Sequence, residues 1–146
     1  MSLQRFLQAQ NPVIDEVMAE LQAGRKRTHW MWFIFPQLKS LGHSSTAAFY
    51  GIESMDEAKW YLADPVLGER LKACTHAVLS HADKTAHAIF GSPDDLKFRS
   101  CMTLFSLAAP DEASFRQALA QFFDGQPDAL TVSYLEDSDA AGGSPT

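Results

Sequence analysis

The sequence is poor in cysteine, has no long apolar run and carries no basic excess, and each shortage removes a class of function. Its two cysteines, Cys74 and Cys101, fall in segments that read as helix interiors, with no C-x-x-C and no histidine at zinc-ligand spacing. Buried free thiols are expected there, and no metal. No apolar run approaches the roughly 18 residues that span a bilayer, so no membrane partner is expected. The start, Met1 to Phe6, lacks a basic region followed by an apolar one, and a cytoplasmic location follows by default. With a net charge of −6, the chain lacks the basic face that DNA or RNA binding needs, and neither is expected as a partner. P-loop, G-x-G-x-x-G, H-E-x-x-H and G-x-S-x-G patterns are absent as well, and no cofactor is expected.

What is present suits one all-α domain. A chain of 146 residues buries roughly 68–70% of its unfolded surface without staples. Residues 1–125 read as a single helical globule of about seven helices, and 126–146 as a short final turn to Leu135 with a disordered acidic, Gly/Ser-rich tail. Ser2 is a candidate cap for a first helix. Asn11-Pro12 reads as N-cap and first position of a second, with Val13, Ile14, Val17, Met18 and Leu21 at helical spacing up to Gly24. Ser54 and Glu57 have capping-box spacing, and Asp64-Pro65 opens a helix striped by Leu67, Leu71, Cys74 and Val78. Residues 92–107 read as a buried central helix, capped by Ser92, with Phe98, Cys101, Met102 and Phe105 on one face and Leu96, Leu104 and Leu107 on the other.

One stretch, Thr28-His29-Trp30-Met31-Trp32-Phe33-Ile34-Phe35-Pro36-Gln37, organises the rest. Six consecutive large apolar residues, Trp30 to Phe35, must run through the core or line a pocket; a buried helical turn is favoured, because no other segment offers a partner strand. No acidic residue lies between Glu20 and Glu53, while Arg25, Lys26, Arg27 and Lys39 do, together with His29 and His43. A cationic, aromatic segment in an acidic chain suits a small anionic ligand with a flat ring, because ammonium and guanidinium groups pair with phosphate and aromatic faces stack. The alternative for Arg25-Lys26-Arg27 is a solvated loop.

The candidate ligand-binding residues are Lys26, Trp30, Trp32, Gln37, Lys97, Arg99 and Ser100, and the candidate proton-handling residue is His29. An imidazole at His29 titrates near neutral pH, although a satisfied core histidine is the competing reading. Lys97 has no acid at i−4 or i+4, and snorkelling to solvent is its structural alternative. Arg99 is spaced to pair with Asp95, and Glu57 is accounted for by its cap. A structural role for the whole aromatic stretch, with function in a protein partner, stays open.

The stretch from Thr28 to Gln37, with Phe6-x-Gln8-Ala9-Gln10, Pro65-Val66-Leu67-Gly68-x-Arg70-Leu71 and Asp95-x-Lys97-x-Arg99-Ser100-x-Met102-Thr103, resembles a small bacterial and fungal domain family of unknown function, loosely labelled calpastatin-like. That resemblance implies an all-helical fold. Asp64-Pro65, Gly68-x-Arg70 and Lys97-Phe98 are more faintly similar to the NADAR superfamily, which implies NAD and ADP-ribose chemistry and carries no catalytic residue across. The expected function is binding, and in an enzymatic version N-glycosidase hydrolysis, of an ADP-ribose-like or other phosphorylated nucleotide-derived compound; a binding module without turnover is the alternative.

Overall fold

Ten α-helices and one 3₁₀ turn make up the described chain. The structure is a computed structural model that describes the backbone of residues 3–143 and the side chains of 3–138. The helices are α1 (Gln4–Gln10), α2 (Ile14–Ala23), α3 (Met31–Ile34), α4 (Ser45–Tyr50), α5 (Met55–Ala63), α6 (Leu67–Leu79), α7 (Ala86–Phe90), α8 (Asp94–Ala108), α9 (Ala113–Phe123) and α10 (Ala129–Gly143). Among the described residues there is no strand, only an isolated parallel bridge between Leu38 and Ile52, and no helix is long and apolar enough to cross a membrane. The all-α expectation holds; the count exceeds seven because α3, α4 and α7 are separate elements of four to six residues.

Local sequence explains most boundaries. Ser44, Ser54 and Thr85 each accept a backbone N–H from three residues on, closing the first turns of α4, α5 and α7. Asp64 Oδ1 accepts from Val66 N and Leu67 N and so starts α6. Gly24 ends α2 at φ +74°, a left-handed conformation that glycine adopts without penalty, and a Cβ there would meet the His81 imidazole at 2.9 Å.

Other expected boundaries moved. Asn11 belongs to the end of α1 and its amide oxygen accepts from Arg70, so α2 begins at Ile14 after Val13. The central helix runs from Asp94 to Ala108, with Pro93 and not Ser92 at its N-cap position and no side-chain cap bond. Ser2 lies outside the described residues. Asp128 caps α10 through Thr131, and that helix continues to Gly143 where the sequence reads a turn and a disordered tail; Ser144 to Thr146 lie outside the described residues.

α8 runs through the middle, packed against α5, α7, α9 and α10. Phe98, Cys101, Met102, Leu104 and Phe105 are fully buried, but Leu96 and Leu107 are exposed, so the helix is buried on most of its circumference and not all. Phe35, Phe90 and Phe98 join α3, α7 and α8 in one ring cluster, with centroids 4.7–5.7 Å apart. Gln10 ties α1 to this frame: its amide donates to Phe33 O (2.7 Å) and Tyr61 Oη (3.0 Å), and its oxygen accepts from Arg70.

Candidate functional site

The aromatic stretch divides at helical spacing, with Trp30, Met31, Ile34 and Phe35 buried and Trp32 and Phe33 only half-buried. Trp30 is 1% exposed and belongs to the core, whereas Trp32, two residues on, is half-buried and lines a slot with Met31, Phe35, Gln37, Tyr50 and Lys97. Four-residue α3 turns these side chains in different directions, and the Gln10 bond to Phe33 O holds the turn. Gln37 is set by the bridge that follows: Ile52 N donates to Gln37 O and Lys39 N to Ile52 O. The close pairing needs Gly51, where a Cβ would lie 2.3 Å from Lys39 Cα. The enclosed part of the slot measures about 10 Å³, space for roughly one water.

Two lysines stand over the two indoles. Lys26 Nζ is 5.1 Å from the Trp30 ring centre, and Lys97 Nζ is 5.4 Å from that of Trp32. Between the ammonium groups lies Asp94, whose Oδ2 is 3.0 Å from Lys26 and whose Oδ1 is 3.7 Å from Lys97. Lys26 is the more enclosed, with a side chain 8% exposed and a second bond to Thr28 O, while Lys97 is 28% exposed. Asp94 was not among the residues expected from sequence, although its i, i+3 spacing to Lys97 is the signal that would have found it.

Glu20 was also missed. Its carboxylate accepts from Arg27 N (2.7 Å), Thr28 N (3.1 Å), Thr28 Oγ1 (2.7 Å) and Trp30 Nε1 (3.0 Å), drawing the basic loop onto α2. Burial alone would raise this carboxyl, but those hydrogen bonds, led by the Thr28 hydroxyl, hold it below the usual carboxylate range. Its position as the last acid before the basic interval was the available clue.

The remaining candidates are dispersed. His29 is exposed and no hydrogen bond or ion pair among the described residues holds it. Arg99 Nε donates to Gln126 O, and its guanidinium lies over Phe123, so it ties α8 to the loop before α10 and does not pair with Asp95, which faces His87 at 3.5 Å. Ser100 is buried and donates to Leu96 O. Only half of the expected capping box forms: Glu57 N donates to Ser54 Oγ, but the Glu57 carboxylate, 1% exposed, accepts from Glu53 N in place of Ser54 N and pairs with Arg5 at 3.3 Å. Cys74 and Cys101 are buried free thiols; burial pushes Cys74 up to about 12, against a small opposing effect of Arg70, and Cys101 well above its ordinary value. Among the described residues no three His, Cys, Asp or Glu side chains stand together as metal ligands.

This chain matches DUF1810, described as a protein of unknown function, over residues 1–135. It belongs to that family. The DUF1810 match supports an uncharacterised domain family and lends nothing to the calpastatin-like label or to the NADAR resemblance. Among solved structures, the chain is similar to the conserved hypothetical protein Rv1873 from Mycobacterium tuberculosis, with 48% identity, a TM-score of 0.91, and coverage of 92% of this chain and 96% of that one. None of the curated proteins compared with it matches this DUF1810 chain.

Proposed function

We propose that the protein binds a small anionic ligand bearing a flat ring, at the mouth of the slot between α3 and α8. The observation that carries this reading is Lys97 over Trp32 with Gln37 on the same lining: a cation, a partly open indole and an amide from separate segments converge. The ring stacks on Trp32, the anion pairs with Lys97, and the Gln37 amide hydrogen-bonds a polar edge. Because the enclosed space admits about one water, the ligand lies across the mouth and inserts at most a small group. Phosphorylated nucleotide-derived compounds such as ADP-ribose combine the needed ring and charge, and are the class that the fainter sequence resemblance implies.

Binding without turnover fits the lining best, whose polar side chains are the Gln37 amide, the Tyr50 hydroxyl and the Lys97 ammonium. Hydrolysis of N-glycosidase type is the second reading, favoured by one observation: a carboxylate, that of Asp94, stands 3.7 Å from Lys97, and a carboxylate near the bound ligand is what general-base activation of water requires. Isothermal titration with ADP-ribose and NAD tests the first reading, and the absence of heat at millimolar concentration sinks it. Mass spectrometry of the same mixtures separates the two, since only turnover yields free nicotinamide from NAD.

Lys97→Met provides the residue-level test. It keeps the side chain's bulk and removes a partly exposed charge, so stability of the free protein should stay within about 1 kcal/mol. Affinity should fall by about 1.5–3 kcal/mol, as for a charge-assisted hydrogen bond. An unfolded variant, or unchanged affinity, would remove Lys97 from the site.

A further inference from the structure

We infer that Asp94 sets the charge specificity of this site, selecting a phosphate that carries one negative charge, as each phosphate of ADP-ribose does, over a phosphate that carries two; the inference rests on the binding reading above. Asp94 is the only carboxylate that ion-pairs with Lys26 or Lys97 among the described residues, and the next acid along the chain, Asp95, turns to His87. Two ammonium groups and one carboxylate leave a net charge of +1. The division is unequal. Lys26, nearly enclosed and 3.0 Å from Asp94, is the fixed partner, whereas Lys97, at 3.7 Å and facing the slot, is held loosely enough to turn to an incoming anion.

Lys26 is therefore a positioning residue and not a ligand contact. Its ammonium is already engaged by Asp94, by Thr28 O at 2.6 Å and by the Trp30 face. By holding Asp94, it keeps that carboxylate from neutralising Lys97 completely. A monoanion at Lys97 balances the site, whereas a dianion leaves one charge uncompensated in partly desolvated surroundings, which is unfavourable.

Calorimetry with AMP, whose phosphate is largely dianionic at pH 7.5, and with 3′,5′-cyclic AMP, a monoanion on the same base and sugar, reads the selectivity directly. The wild-type protein should bind cyclic AMP several-fold more tightly than AMP. Asp94→Asn, which raises the site charge to +2, should strengthen AMP binding about tenfold and reverse the order. Lys26→Met, which lowers it to zero, should weaken AMP more than cyclic AMP; it supplies a second arm if Asp94→Asn does not fold, and the wild-type ratio needs no variant at all. Equal or tighter AMP binding by the wild type overturns the inference, as does a ratio that neither substitution moves. Those outcomes leave the binding reading intact. If neither nucleotide binds to the wild type or to any folded variant, the binding reading fails and this inference with it.

Discussion

Individual side chains in this protein divide between holding the fold and lining the slot, and Trp30 and Trp32 mark the division. Trp30 is enclosed, with its indole N–H bound to Glu20, so Trp30→Ala should destabilise the protein by about 3–5 kcal/mol. Trp32→Ala should cost clearly less and act on ligand affinity, and urea denaturation of the two variants measures the contrast. Equal losses would return Trp32 to the core. Glu20→Gln retains shape but trades an acceptor for a donor among four donors; leaving buried N–H or O–H groups without a partner predicts a loss of about 2–4 kcal/mol. The pH dependence follows from the same bonds. A carboxyl held below its ordinary 4.5 contributes stability that is complete above that value and is lost as pH falls through the lower folded value. Glu112, lowered chiefly by the Ser114 hydroxyl, adds in the same direction. Chemical denaturation repeated from pH 7 down to pH 3 should lose less stability in Glu20→Gln than in the wild type.

At the level of elements, the slot depends on a short extended pairing embedded in a helical protein. Residues 37–39 lie beside residues 51 and 52, which fixes Gln37 on the slot that Lys97 also lines without a sheet. Gly51→Ala places a methyl 2.3 Å from Lys39 Cα, where backbone and not a flexible side chain must yield. Destabilisation of about 1–3 kcal/mol is expected, as for overpacking, accompanied by weaker ligand binding from displaced Gln37. A thermal melt and the ADP-ribose titration check both halves, and a variant as stable as the wild type would show that the pairing is slack. The helix starts at Ser54 and Asp64 were legible in advance, because an oxygen-bearing side chain two or three residues before an orphan N–H is a local pattern. Asn11 misled because its side chain is taken by Arg70, 59 residues away, a competition that local spacing does not reveal.

For the whole molecule, one core shared by α1 through α9 predicts a single cooperative unfolding transition, followed equally well by circular dichroism and by thiol exposure. Cys74 and Cys101 should resist alkylation by iodoacetamide until that transition, and stability should decline at alkaline pH, because a thiol raised to about 12 stabilises the fold fully below its ordinary 9.0 and loses that contribution as pH rises toward the folded value. Reaction of either thiol in the native protein at neutral pH would contradict its burial. The sequence by itself determined the helical class, the buried thiols, the helix starts at Ser54 and Asp64 and the central place of the Thr28 to Gln37 stretch, because hydrophobic period, capping spacing and the demand to bury six large apolar residues act within one or two helical turns. Only the tertiary structure decided which tryptophan faces out, that Asp94 bridges Lys26 and Lys97 from a helix 68 residues beyond Lys26, and that Arg99, Ser100 and His29 stand apart from the slot. Those outcomes depend on where α3 and α8 meet in space, and packing between segments distant in the chain leaves no periodic trace in either one.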